Sequence, residues 1–299
     1  MKFKLILIVM FLVVSFNLAG AEKINVVATY PYIADILQKI GGENIKVTSL
    51  ASGDMDPHTI TPRPSFIAKL RSAKLVVING GQLEIGWLPP VLQQANNPQI
   101  IPGSNGFMSL MDFITPLEVN REISRAQGDV HPEGNPHIHL DPANILIFAS
   151  AIKDKLSQLD KAREIDYQKN YEAFKQKWQL KTNEWETRLQ GLKGKYVIPY
   201  HKLYSYFLHR FGIQSASEIE PLPGIPPSAR HLAGLIYVIK QQHVELIIQD
   251  VYHSSQGAKF LKEKTGIPIV IIPHDIGAVK EAIDIFSLFD EIVKRLTQK

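Results

Sequence analysis

Short runs of consecutive apolar residues alternate along this chain with segments in which apolar residues recur every three or four positions. The apolar run at residues 24–29 is followed by such a segment at 33–40 and by a second apolar run at 45–50. Strands buried in a parallel sheet are apolar throughout, whereas helices that cover a sheet are apolar on one face only. The pattern therefore predicts parallel strands connected by helices at the beginning of the chain.

The same alternation continues through the chain and predicts two lobes. In the first half, further helices are predicted at 66–73, 87–95 and 143–156, and further strands at 75–78 and 99–101. In the second half, strands are predicted at 196–199, 214–219, 244–248 and 267–272, and helices at 203–211, 229–242, 257–264 and 279–296. Strands that alternate with helices form parallel sheets covered on both faces. We therefore expect an α/β protein with two parallel-sheet lobes.

One long amphipathic segment separates the two lobes. Between residues 161 and 190, aromatic residues such as Tyr171, Phe174 and Trp178 recur at helical spacing among polar residues. A helix of this length spans roughly 45 Å, which is longer than one small lobe needs. We expect a rigid backbone helix at 159–193, which links an N-terminal lobe at 22–158 to a C-terminal lobe at 194–299.

Residues 1–21 have the pattern of a cleaved signal peptide. Lys2 and Lys4 precede an apolar run that ends at Ala19-Gly20-Ala21, and this run is shorter than the roughly 20 residues that span a bilayer. A lipoprotein would carry a cysteine at the cleavage position, but Ala21 stands there and the chain contains no cysteine. We therefore expect a soluble periplasmic protein without a lipid anchor.

The charge of the chain does not indicate a nucleic-acid partner. The formal net charge is +4, and the signal peptide contributes Lys2 and Lys4 to it. Nucleic-acid-binding proteins carry a basic stripe or patch that meets the phosphates, and the sequence has none. We therefore expect no nucleic-acid partner.

The segment at residues 134–142 is the first candidate for chemistry. His137 and His139 lie between Pro136 and Pro142. Each proline fixes its own φ angle and pushes the residue before it into an extended conformation, so the segment should be stiff. A stiff loop that presents imidazole nitrogens loses little entropy when it binds a metal ion. This segment is therefore a candidate metal-binding loop.

Three further segments place histidines at predicted strand ends or turns. His58 follows Asp56-Pro57, His201 follows the strand at 196–199, and the pair His274-Asp275 follows the strand at 267–272. In open parallel sheets, ligands bind at the carboxyl ends of the strands. Two lobes that face each other would therefore bring His58, His137, His201 and one of His274 or Asp275 to a single point.

Three imidazoles and one carboxylate form a ligand set that suits zinc, with copper and nickel as further possibilities. Four protein ligands fill a tetrahedral shell and leave no position for an activated water. We therefore expect the protein to bind and release a metal ion, and not to be an enzyme.

The sequence resembles the zinc- and manganese-binding periplasmic solute-binding proteins of metal ABC importers. The resemblance extends over the mature chain and rests on four motifs: Asp56-Pro57-His58, Asn135-Pro136-His137-x-x-x-Asp141-Pro142, His201 followed by Tyr204 and Phe207, and Asp275. It implies two α/β lobes bridged by a rigid helix, a metal ion at their interface and delivery to a membrane permease. We expect the protein to work as a monomer.

The resemblance also implies a ligand set. His58, His137 and His201 match the three imidazole positions of the family, and Asp275 matches its carboxylate. Manganese-binding members tend to have a glutamate at the position of His201. The transported ion is therefore expected to be Zn²⁺, with Mn²⁺ as an alternative.

Three other histidines depart from the family pattern. His139 replaces a common aromatic residue; it could be a fifth ligand, but we interpret it as a residue that supports a ligand or as a neutral substitution. His131 belongs to a shortened loop; it is either a mobile auxiliary ligand or, as we expect, a solvated loop histidine. His274 beside Asp275 leaves the identity of the fourth ligand open.

Two other functions are considered. The pair His137-x-His139 is similar to the paired histidines of amidohydrolases, but a metallohydrolase motif His-Glu-x-x-His is absent from the sequence. A receptor for an iron chelate or haem would have the same two-lobed shape, and its site would be expected near Tyr252-His253-Ser254-Ser255. The metal-ion receptor remains the preferred hypothesis because several separate motifs place histidines at strand ends.

Overall fold

The computed structural model describes residues 22–120, 122 and 130–298. The predicted signal peptide at residues 1–21 lies outside the described residues. Within these described ranges, none of the helices combines the length and the apolar character that crossing a membrane requires. The chain forms two four-stranded parallel sheets and a long helix between them, so the predicted fold class is confirmed.

The first lobe contains a sheet with the strand order β2-β1-β3-β4. Its strands are β1 (Ile24–Ala28), β2 (Ile45–Ser49), β3 (Leu75–Ile78) and β4 (Phe107–Ser109). Its helices are α1 (Pro31–Gly41), α2 (Pro64–Arg71), α3 (Leu88–Ala95) and α4 (Pro142–Leu159). Strands β1 and β3 are almost completely buried, as expected for central strands of a parallel sheet.

The second lobe repeats this architecture with the strand order β6-β5-β7-β8. Its strands are β5 (Tyr196–Pro199), β6 (Gln214–Ser215), β7 (Leu246–Gln249) and β8 (Ile269–Ile271), and its helices are α6 (Ser205–Phe211), α7 (Ala229–Gln242), α8 (Gln256–Thr265) and α9 (Ile285–Thr297). In both sheets the first strand of the lobe lies at the centre, so the chain that leaves it enters the cleft between the lobes.

Helix α5 (Glu164–Leu189) connects the two lobes and contacts both of them. The indole Nε1 of Trp178 donates to the Pro142 carbonyl of the first lobe at 2.8 Å. The indole Nε1 of Trp185 donates to Asp290 Oδ1 of the second lobe, also at 2.8 Å. Both indoles pack against Phe289 of α9. The aromatic stripe therefore holds the linking helix against both lobes.

Three predicted elements differ in the structure. The strand predicted at 214–219 is only the two-residue strand Gln214–Ser215. The strand predicted at 99–101 is a 3₁₀ turn at Pro98–Ile100, because Asn97 Oδ1 accepts a hydrogen bond from the Gln99 amide and starts the turn. The fourth strand is β4 instead. The last helix begins at Ile285 and not at residue 279, because Asp284 and Ser287 form a reciprocal capping box.

Candidate metal centre

Three histidines from separate parts of the chain meet between the lobes. One ring nitrogen each from His58, His137 and His201 lies within 4.8 Å of the others, and we call these three residues the open cluster. The Nε2 atoms of His137 and His201 are 3.2 Å apart. Two nitrogens bound to one tetrahedral zinc ion are about 3.3 Å apart. The spacing of this pair therefore suits two ligands of one ion.

His58 is held by the acidic residue two positions before it. Asp56 Oδ1 accepts hydrogen bonds from the His58 backbone amide and from His58 Nδ1, both at 2.9 Å. Since Nδ1 donates to the carboxylate, Nε2 of the neutral ring carries a lone pair. In the part of the chain that the structure describes, no hydrogen-bond partner reaches this buried Nε2 atom. His58 is thus prepared to bind a cation through Nε2.

His137 is positioned by the segment between Pro136 and Pro142, which we expected to be stiff. Asn135 Oδ1 accepts a hydrogen bond from the His137 amide at 2.9 Å, and Asn79 Nδ2 donates to the Pro136 carbonyl at 2.9 Å. Asn135 Nδ2 also donates to the Lys202 carbonyl of the second lobe at 2.8 Å. The backbone at His137 is therefore fixed relative to both lobes, and the residue is only 1% exposed.

His201 follows β5 and is held by a carboxylate that sequence reasoning missed. His201 Nδ1 donates to Glu220 Oε2 at 2.5 Å, and the other carboxylate oxygen accepts from the Gly224 amide at 2.8 Å. The Glu220 amide in turn donates to the Tyr200 carbonyl. Glu220 follows the edge strand β6, so its position at a strand end was the one available signal.

The surroundings keep His137 neutral, as a metal ion needs, and they keep Asp56 ionised. Burial, together with the neighbouring imidazoles, holds the pKa of His137 well below its usual range. Burial alone would raise the pKa of Asp56, but its bonds to His58 lower it to about 2. A neutral imidazole and an ionised supporting carboxylate are therefore both present at neutral pH.

Asp275 lies apart from the open cluster. Its Oδ1 accepts hydrogen bonds from the Tyr32 amide at 2.9 Å and the Ile276 amide at 2.7 Å. Burial raises its pKa to about 8 despite these two bonds. Both bonds fall on Oδ1, and Asp275 does not belong to the group of ligand atoms that lie within 4.8 Å of one another, so its role as a ligand stays a prediction.

Two further histidines surround Asp275, and we call His139, His274 and Asp275 the closed cluster. His139 Nε2 donates to the His274 carbonyl at 2.7 Å, and His274 Nε2 donates to the Met55 carbonyl at 3.2 Å. The His139 ring also stacks on Tyr32 with centroids 4.4 Å apart. These bonds join the first lobe to the second, so both rings have structural contacts.

His131 is not the solvated loop histidine that we expected. It is only 9% exposed, and its ring centroid is 5.4 Å from that of His58. It lines a cavity of about 500 Å³ together with His137, His201, Glu118, Glu220 and Leu222. The expectation is wrong because the described residues after His131 are bonded to the second lobe, where Asn135 contacts the Lys202 carbonyl and the Tyr206 hydroxyl. The open cluster is thus in contact with a cavity that is large enough to admit a hydrated ion.

His253 lies next to the open cluster on another side. Its ring centroid is 5.8 Å from that of His201, and its Nδ1 donates to the buried Asp250 Oδ2 at 2.8 Å. Stacking on Tyr200 at 4.4 Å fixes the ring. Asp250 itself accepts from the His253 amide, so the loop after β7 is rigid at this point.

Comparison with known proteins gives a consistent set of relatives. A family model described as zinc-uptake complex component A, periplasmic (ZnuA) matches residues 26–299. The chain is 24% identical to the metal ABC transporter substrate-binding lipoprotein ScbA of Streptococcus cristatus, over 84% of this chain and 79% of ScbA. It is also 24% identical to the manganese ABC transporter substrate-binding lipoprotein PsaA of Streptococcus mitis, over 84% of this chain and 80% of PsaA. The crystal structure of ZnuA has the same fold, with a TM-score of 0.77 at 24% identity over 92% of this chain and 98% of that one.

The relatives contradict one expectation from the sequence. We expected a periplasmic protein without a lipid anchor because the chain has no cysteine, but ScbA and PsaA are both named lipoproteins. The expectation of an unanchored protein is therefore withdrawn.

Proposed function

Because this chain belongs to the family of the periplasmic zinc-uptake component ZnuA, we propose that it binds one zinc ion between its lobes and passes it to an ABC import permease. Relatives of this chain are substrate-binding proteins of metal ABC transporters. The protein is accordingly a solute-binding protein and not an enzyme, and the metallohydrolase hypothesis is set aside.

The convergence of His58, His137 and His201 is the observation that carries the proposal. We assign these three residues as the imidazole ligands of the transported ion. Two of them donate Nδ1–H to a carboxylate, Asp56 or Glu220, which is the usual support of a histidine that binds a metal through Nε2. Nitrogen ligands favour zinc over manganese, which prefers oxygen. Manganese, the ion named for PsaA, is the alternative.

The division of the chain and its oligomeric state are part of the proposal. We assign residues 22–158 to the N-terminal lobe, 159–193 to the linking helix and 194–299 to the C-terminal lobe, since each range outside the linker contains one complete sheet. We also propose that the protein works as a monomer, because both halves of the open cluster come from one chain. Light scattering of the metal-loaded protein would test this and should give the mass of one chain.

Zinc binding can be measured by competition with a chromophoric chelator. The wild-type protein should bind one zinc ion per chain, and His201→Ala should weaken binding by on the order of 100-fold, about 2.8 kcal/mol. His209→Ala is the matched control, because His209 is an exposed histidine on α6 of the same lobe. A protein that prefers manganese would overturn the zinc assignment. Zinc binding that is indifferent to His201 would favour the chelate receptor.

A further inference from the structure

Asn79 follows the central strand β3 and is completely buried, although it is not one of the proposed zinc ligands. Its backbone is held on both sides. The amide donates to Glu84 Oε1 at 2.7 Å, and the carbonyl accepts a hydrogen bond from the Met111 amide at 2.9 Å. The position of Asn79 is therefore fixed before its side chain makes any contact.

Glu84 is a carboxylate in the interior of the first lobe, and its residue is only 3% exposed. Besides the Asn79 amide, it accepts hydrogen bonds from the Thr29 hydroxyl at 2.8 Å and from the Gly80 amide at 3.1 Å. A buried carboxylate without such donors would be costly. Because Thr29 follows β1 and Asn79 follows β3, Glu84 ties the ends of the two central strands together.

The side chain of Asn79 contacts the loop that carries His137. Its Nδ2 donates to the carbonyls of Gly80 and Pro136, both at 2.9 Å, and its Oδ1 accepts from the Tyr32 hydroxyl at 2.7 Å. The two carbonyls require a donor, so the amide nitrogen faces them and the amide oxygen faces Tyr32. Since Pro136 directly precedes His137, Asn79 acts on the backbone from which the imidazole projects.

Tyr32 extends this set of contacts to the closed cluster. Its amide donates to Asp275 Oδ1 at 2.9 Å, and its ring stacks on that of His139 with centroids 4.4 Å apart. Its hydroxyl is the group that reaches Asn79. A continuous path of contacts therefore leads from the closed cluster through Tyr32 and Asn79 to the loop of His137.

We propose that Asn79 is a positioning residue for the zinc site, which holds the Pro136 carbonyl and thereby keeps His137 in place for the ion. Tyr32 supports this role by holding the amide of Asn79. The inference rests on the proposed function and concerns how a ligand is held, not which residues are ligands. A ligand that is held in place before binding loses less freedom when the ion arrives. Removal of the Asn79 amide should therefore weaken zinc binding in a protein that is still folded.

Asn79→Ala tests the inference, with Asn97→Ala as the matched control. Asn97 is also buried, and its Nδ2 donates to the Leu70 and Ala73 carbonyls at 3.0 and 2.8 Å, but it lies beyond the opposite end of β3. Both substitutions should lower the urea midpoint of the metal-free protein. Only Asn79→Ala should also weaken zinc binding, by about tenfold in chelator competition.

Bound cobalt(II) gives a second measurement, because its visible absorption bands depend on how the ligands are arranged around the ion. Asn79→Ala should shift these bands, since His137 is then held less well. Asn97→Ala should leave them unchanged, because a loss of stability alone does not alter the arrangement of the ligands.

Tyr32→Phe is a milder variant that removes only the hydroxyl and keeps the amide and the ring in place. It should weaken zinc binding by about threefold, because Asn79 loses one hydrogen bond. In the Asn79→Ala background the same substitution should have no further effect. Equal losses in the two backgrounds would show that Tyr32 does not act through Asn79.

The inference is overturned if Asn79→Ala binds zinc as tightly as the wild type and leaves the cobalt bands unshifted. It is also overturned if Asn79→Ala and Asn97→Ala lose the same zinc affinity, because general destabilisation would then explain both losses. Failure of the wild-type protein to bind zinc would instead contradict the proposed function.

Discussion

Two clusters of buried histidines lie between the lobes, and they differ in what their ring nitrogens contact. In the open cluster, carboxylates accept the Nδ1–H groups of His58 and His201, and the Nε2 atoms are left to face one another. In the closed cluster, the Nε2–H groups of His139 and His274 donate to backbone carbonyls. The first arrangement brings ring nitrogens of both lobes within 4.8 Å of one another, whereas the second uses the Nε2–H groups to join the lobes. The Nδ1 atoms of His139 and His274 also have no hydrogen-bond partner in the described structure, but they do not belong to such a convergent group.

The two clusters also differ in the size of the cavity beside them. The open cluster adjoins a cavity of about 500 Å³, while the closed cluster borders a cavity of about 10 Å³. A space of that smaller size holds at most about one water molecule. His137 and His139 are two residues apart in the sequence, yet they belong to different clusters. Position in a histidine motif therefore does not decide the role of a ring; the contact of its second nitrogen does.

The largest expected effect is a loss of zinc affinity in variants of the open cluster, which variants of the closed cluster should not show. His58→Ala should weaken zinc binding by on the order of 100-fold, because it removes one of three convergent nitrogens. His139→Ala should change the affinity by less than about threefold, because its nitrogen contacts a carbonyl. Chelator competition with both variants measures this difference. Equal losses in the two variants would remove the distinction between the clusters.

A smaller effect is expected when the support of a ligand is changed. Glu220→Gln should weaken zinc binding about 10- to 100-fold, since the neutral amide no longer holds His201 through a charged hydrogen bond. Glu218→Gln is the matched control, because Glu218 lines the same cavity without contacting His201 in the described structure. Calorimetric titration of both variants gives the comparison. Identical affinities would show that Glu220 does not support the site.

The closed cluster should affect stability and not affinity. His139→Phe keeps an aromatic ring against Tyr32 but leaves the buried His274 carbonyl without its donor. The metal-free variant should lose about 1 to 3 kcal/mol of unfolding free energy at pH 7. Urea unfolding at constant pH measures this loss. The variant should still bind zinc with the affinity of the wild type, which chelator competition checks. A stable variant that binds zinc weakly would reverse the assignment.

The smallest effect concerns the pH dependence of that stability difference. Burial lowers the pKa of His139 to about 4, below its unfolded value of about 6.5. The unfolded chain therefore binds the proton first, and the wild type loses stability as the pH falls from about 6.5 to about 4. His139→Phe lacks this group. The difference in unfolding free energy between the wild type and the variant should therefore narrow by about 1 to 2 kcal/mol between pH 7 and pH 5. A difference in unfolding free energy that stays constant over this pH range would contradict a buried neutral His139.

Topology made much of this site predictable. His201 follows a central strand and His137 lies between prolines, so both could be placed at the cleft before any contact was known. Asp275 also follows a strand, but its carboxylate turns toward the first amide of α1, and the direction of a side chain does not follow from strand position.

The remaining features depend on contacts between distant parts of the chain. Glu220 follows β6 and His201 follows the neighbouring strand β5, so their contact depends on how these two strands pair and not on a local pattern around Glu220. Tyr206 of the other lobe joins residues before and after His131, because its hydroxyl accepts from the Leu117 amide and donates to the Asn135 carbonyl. Long-range packing of this kind has no periodic signal in the sequence, so the loop was expected to be solvated.

Crystals grown with zinc and measured on both sides of the zinc absorption edge would test the central claim most directly. We predict one strong anomalous peak per chain within about 2.1 Å of a ring nitrogen of each of His58, His137 and His201. A peak at His139, His274 and Asp275, or no peak between the lobes, would contradict the account.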